Sequence, residues 1–177
     1  MLSLYTLGAE VSYDGQSLGV VSSRHAAEKV VAELEDIKEV MSSVGIDKLQ
    51  FVMMHPPYWD IIKFSDNEKD LSNTSTLDEF LESFGQVIDN STKYLEKNRY
   101  CACVIGDKYA NSQVIPLGFY CMNQFMERGF LLKAILVKNF GETKGKANQQ
   151  GIWRYRAITN DFYIFKHEYI FVFKKVK

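Results

Sequence analysis

Along residues 24–44 the apolar positions Ala27, Val30, Val31, Leu34, Ile37, Val40, Met41 and Val44 recur mostly at intervals of three and four. That spacing places them on one face of a helix. Ser22 or Ser23 can cap its start, and Gly45 stands where a helix would stop. A second helix is predicted from Thr76-Leu77-Asp78-Glu79, a capping box, with Leu77, Phe80, Leu81, Phe84, Val87, Ile88 and Leu95 on its apolar face. A third follows Pro116 in the run PLGFYCMNQFMER and ends at Gly129.

Short apolar runs of strand length lie between these helices. KLQFVMM, residues 48–54, leads straight into His55-Pro56-Pro57-Tyr58, where two prolines remove backbone donors and end any ladder. YCACVI, residues 100–105, closes at Gly106-Asp107, and residues 131–137 form a further strand. FYIFKHEYIFVF, residues 162–173, is long enough for one long strand or two short ones. The opening 23 residues alternate loosely around Gly8, Gly15 and Gly19, which predicts a short strand, a turn and a second short strand. The order strand, helix, strand, helix, strand, strand predicts an α/β layered sheet, largely parallel, with a last antiparallel strand possible. With no internal repeat and no interdomain linker, residues 1–177 read as one domain.

Composition narrows the class. Of 177 residues 46% are apolar and 24% charged, the balance of a globular protein with a real core rather than a disordered or collagen-like chain. No apolar run approaches the roughly 18 residues that cross a bilayer. The first residues include Glu10 and Asp14 and no basic region before a long apolar stretch, so they do not read as a signal peptide, and a cytoplasmic location is expected. Cys101 and Cys103 alternate in an apolar run and Cys121 sits in a helical pattern, as buried thiols do. Cys-x-Cys with no second pair is a poor zinc motif, and no metal site is expected.

Net charge is -1, which by itself argues against nucleic acid as a partner. Its distribution changes that picture. From Lys133 onward there are ten basic residues against three acidic ones, so this part carries +7 and the preceding part -8. Lysines that coat a solvated face would give the same asymmetry. In an open parallel sheet the ligand crevice lies at the carboxyl ends of the strands, where His55-Pro56-Pro57-Tyr58 and Gly106-Asp107 both fall.

HPPYWDIIKFS resembles the catalytic motif of the amino-methyltransferases that modify adenine N6 or cytosine N4 in DNA, usually Asp, Asn or Ser followed by Pro-Pro and an aromatic residue. CVIGDKY with VIPLGFY, NFGETKGK with WRYRA, and the terminal KHEYIFVFKK are similar to later strands and loops of bacterial members. The resemblance covers about residues 49–175; residues 1–48 form a divergent strand and helix segment. It implies a Rossmann-like S-adenosylmethionine-dependent methyltransferase fold. It further implies that the Pro56 carbonyl and the side chain of His55 accept the hydrogens of a flipped-out base amine, on which Tyr58 stacks beside Pro57. Trp59, Asp107 and Lys108 would line the same crevice, with Lys144, Lys146, Arg154 and Arg156 against phosphates. Adenine N6 is the favoured target and cytosine N4 the alternative, in a restriction-modification or regulatory setting.

The chain departs from the family pattern at two points. Position 55 is His, and only a neutral imidazole nitrogen can accept a hydrogen, with a protonation midpoint expected near the ordinary value of about 6.5. None of the eleven glycines forms the Gly-x-Gly turn that admits the cofactor. The later strands are thus present and the glycine-turn half is missing. Either a second polypeptide supplies that half, in a split heterodimer, or the chain is an inactive copy that binds nucleic acid or a partner. A third alternative is methylation of RNA base amines. Residues 24–44 would then cover a sheet edge or dock the partner.

Overall fold

A computed structural model of the chain describes residues 3–6, 10–13, 16–20, 38, 41–43, 45–140, 155, 158–159 and 165–177. Among these, seven strands form one mixed sheet: β1 (Ser3–Thr6), β2 (Glu10–Tyr13), β3 (Gln16–Val20), β4 (Leu49–Met54), β5 (Leu95–Ile105), β8 (Phe130–Asn139) and β9 (His167–Lys175). β6 (Lys108–Ala110) and β7 (Gln113–Ile115) pair with each other as a separate hairpin. The sheet order is β3-β2-β1-β4-β5-β9-β8. β1, β4 and β5 are parallel, and β9 enters antiparallel between β5 and β8. The expected α/β sheet with an antiparallel strand near its end is therefore present, but it is not largely parallel: only β1–β4 and β4–β5 pair in parallel, and the other four pairings are antiparallel.

Helices α1 (Leu77–Thr92) and α2 (Leu117–Glu127) pack on this sheet. The capping box of α1 is complete: the Thr76 hydroxyl accepts from the Glu79 amide, and the Glu79 carboxylate accepts from the Thr76 amide. Buried Phe84 of α1, stacked on Phe80, meets Phe125 of α2, whose ring stacks on Phe173 of β9 at 4.3 Å between centroids. Gly129 closes α2 with a φ of +83°, a left-handed conformation that glycine adopts without strain. Cys101, Cys103 and Cys121 are free buried thiols, pushed above their ordinary pKa by burial.

Of the predicted helix at 24–44, the described residues 38 and 41–43 are helical and the rest lie outside the description. Gly45 ends it as expected, with Gly45 N–H donating to Ser42 and Ile46 N–H to Met41.

Four further readings need correction. Before β4 the chain makes three strands, not two, and they fill the sheet position beside β4 that a half sheet would have left open. The strand expected at 100–105 begins at Leu95, so Leu95 belongs to β5 and not to the face of α1; Asn98, with φ +67°, lies in the bulge between the Leu49–Leu95 and Phe51–Tyr100 pairs. Residues 108–115, where the pattern predicts no element, form the β6–β7 hairpin, turning through Asn111 and Ser112 at φ +52° and +59°. The strand predicted over 131–137 runs from Phe130 to Asn139.

Candidate functional site

The sheet topology brings four chain segments to one end. β4 and β5 are parallel and end at Met54 and Ile105, so His55–Tyr58 and Gly106–Lys108 leave the sheet side by side. β9 is antiparallel to both and starts at that end, with Tyr169 opposite Ile105. β8 finishes there, with Lys138 opposite Glu168 and Asn139 opposite His167.

Tyr58 is held from two sides. Its hydroxyl donates to the Glu168 carboxylate at 2.7 Å, and its ring lies on Gly106, where an added Cβ would come within 2.9 Å of the ring. Only glycine leaves that space. Burial and the Glu168 hydrogen bond push the Tyr58 phenol well above its usual pKa, so it stays a donor. His55 Nε2 stands 3.4 Å from the same hydroxyl. Burial lowers the His55 pKa, partly opposed by the Glu168 charge, and Lys138 adds to the lowering. This corrects the expectation of an unperturbed imidazole: the half-buried ring stays neutral below its ordinary midpoint. Pro56 and Pro57 are buried behind this turn.

Glu168 was not anticipated from sequence. It is 3% exposed, accepts from Tyr58 on one oxygen and from Lys138 Nζ on the other at 2.7 Å. Burial would raise its pKa, but the Lys138 and Tyr58 hydrogen bonds outweigh that and hold it below the ordinary value. A lone carboxylate inside the apolar run FYIFKHEYIFVF is the signal that could have marked it.

Asp107 lies one residue beyond Gly106 and ties the crevice to α2. Its carboxylate accepts from the Gly118 amide at 3.0 Å, in the first turn of the helix, and from the Tyr169 hydroxyl at 3.2 Å. Lys108 is buried, pairs with Asp60 and sits 3.9 Å over the Trp59 ring. Trp59 takes a left-handed φ of +56° and donates its indole N–H to the Thr74 carbonyl. Both residues thus brace the turn that follows Tyr58.

Lys144, Lys146, Arg154 and Arg156 lie outside the described residues. The ends of the segment that carries them are described: Phe140 N–H donates to the Lys166 carbonyl at 2.7 Å, at the crevice end of the sheet. Among the described residues no cluster of metal-ligating side chains occurs, and no helix is long and apolar enough to cross a membrane.

No family model and no curated protein matches the chain. Solved structures do. A Thermus thermophilus protein, provisionally described as a DNA modification methylase, matches at TM-score 0.50 and 18% identity in its complex with S-adenosyl-L-methionine, over 80% of this chain and 54% of that one. The cytosine-N4-specific PvuII DNA methyltransferase matches at TM-score 0.50 and 13% identity, over 73% of this chain and 43% of that one. The chain has the methyltransferase fold. It spans about half the length of these methylases, in keeping with a fold that is present in part.

Proposed function

We propose that the chain carries the target-base side of an S-adenosylmethionine-dependent methyltransferase acting on an exocyclic amine of a DNA base. The observation that carries this reading is the convergence of His55-Pro56-Pro57-Tyr58 with Gly106 at one sheet end. A base inside a duplex cannot present its amine, so it must leave the stack, which costs a few kcal/mol. Tyr58 offers a fixed aromatic face against which that cost is offset. The Pro56 carbonyl and neutral His55 accept the two amine hydrogens, which withdraws the nitrogen lone pair from the ring and makes it nucleophilic. Lys144, Lys146, Arg154 and Arg156 belong to a segment anchored beside this crevice and contact phosphates, positioning the strand without reading its sequence. Adenine N6 is the favoured target and cytosine N4 the alternative.

S-adenosylmethionine supplies the methyl group when bound, but this chain does not fit a complete donor site. After β1 only residues 7–9 intervene before the chain returns as antiparallel β2, so no helix N-terminus follows β1 to meet the cofactor, and no Gly-x-Gly turn exists in the sequence. The donor half comes from a second polypeptide carrying that turn. Because β1 already pairs with β4, the partner meets the chain at the crevice or along one of the two described edge strands, β3 or β8, rather than beside β4.

Binding of duplexes with randomised flanks, holding one unpaired adenine or cytosine or an abasic residue at that position, tests the target side. Wild type should prefer a base over the abasic duplex about tenfold, and Tyr58→Ala should remove most of that preference, as stacking is worth about 1–3 kcal/mol. Equal wild-type affinity for both duplexes contradicts the reading.

A further inference from the structure

Glu168 is a buried charge in a place where packing does not ask for one. A carboxylate taken out of water is costly unless it is paired and hydrogen-bonded. Phenylalanine at position 58 would fill the same space against Gly106 and need no acceptor. The chain instead spends both carboxylate oxygens on two defined partners: Oε2 on the Tyr58 hydroxyl and Oε1 on Lys138, each at 2.7 Å. Lys138 reaches in from the neighbouring strand, directly opposite Glu168 in the register. Its side chain is half exposed, so the pair links the crevice floor to the surface of β8.

This arrangement has a mechanical consequence for the ring. The outer torsion of a tyrosine side chain is broad, and contact with Gly106 fixes only one edge. A charge-assisted hydrogen bond at the para position fixes the far end and is about twice as strong as a neutral one. Packing of Gly106 along the Cε2 edge and the tether on the hydroxyl together hold the ring plane.

We propose that Glu168, braced by Lys138, is a positioning residue that sets the plane of the Tyr58 ring for stacking on a flipped base. The proposal rests on the target-base reading above. It assigns Glu168 no contact with the base and no part in proton transfer.

The test is a double-mutant cycle read as the base-over-abasic affinity ratio of the full chain, with thermal unfolding followed in parallel. Tyr58→Phe, which keeps the ring and removes the tether, should lower the ratio about fivefold. Glu168→Leu should lower it by the same factor, and the double variant should fall no further. Glu168→Gln, whose amide oxygen can accept the same hydrogen, should restore most of the ratio. Lys138→Met should give a partial loss.

A folded Glu168→Leu variant with the full ratio overturns the proposal. So does a double variant whose losses add, because Glu168 would then act independently of the hydroxyl. If Glu168→Leu does not fold, Tyr58→Phe decides alone: a full ratio there shows that the tether does not position the ring. A wild type with no base preference overturns the target-base reading itself, and the role of Glu168 with it. A strand-pairing role for the Lys138–Glu168 ion pair would change the unfolding midpoint in every background and leave the ratio untouched.

Discussion

His55 is the residue at which the chemistry of this crevice departs most from a carboxylate, amide or hydroxyl acceptor. Its imidazole accepts a hydrogen only when neutral, and burial lowers its pKa from 6.5. The sign follows from linkage. Above the ordinary value the ring is neutral whether folded or unfolded. Below it the unfolded chain takes up a proton first, so folding loses stability as pH falls through that window. Base preference should therefore hold to below pH 6.5 and decline only at more acid values. His55→Asn should flatten the decline, because an amide oxygen accepts without titrating there. Affinity ratios measured from about pH 5 to 8 check this, and a wild-type decline centred above the ordinary histidine value contradicts it. At this scale the motif was readable because consecutive prolines act locally, fixing the turn that carries Tyr58. Glu168 was not, since its meeting with Tyr58 joins residues 110 apart through an antiparallel strand insertion that periodicity cannot reveal.

At the scale of elements, local signals that compete with nothing were read correctly. The Thr76 and Glu79 pair starts α1 because it satisfies amide groups that the first turn leaves open. Thr76→Ala should cost about 1 kcal/mol and lower the thermal midpoint, while the base preference of the crevice stays unchanged. An unaltered midpoint would mean that α1 is held by its buried phenylalanines alone. Where an element depends on one unusual backbone angle, the pattern misled. Leu95 continues the helical spacing, yet it is already paired to Leu49 in β5, and a bulge holding Asn98 at φ +67° separates it from the regular ladder that begins at Tyr100. The β6–β7 hairpin turns on Asn111-Ser112, a pair less distinctive than Asn-Gly. The first three strands have four or five residues each, too few for alternation to separate two from three.

For the whole molecule, Lys138 and Lys166 of the positive carboxy-terminal quarter stand at the crevice end of the sheet, where β8 ends and β9 begins, whereas Lys174 and Lys175 stand at the other end. The methyltransferase-like chain spans about half the length of its structural neighbours, and the proposed division between a target side and a donor side is supported by β1 being followed, after residues 7–9, by antiparallel β2. The central claim is that the Tyr58 crevice serves methylation of DNA amines. Replacing the wild-type gene by Tyr58→Ala in the source cells and quantifying nucleosides by mass spectrometry tests it most directly. The expected result is a loss of N6-methyladenine, or of N4-methylcytosine, from chromosomal DNA, with the variant protein still folded and present. Unchanged levels of both methylated nucleosides in DNA would contradict it, and a loss confined to RNA nucleosides would move the substrate to RNA.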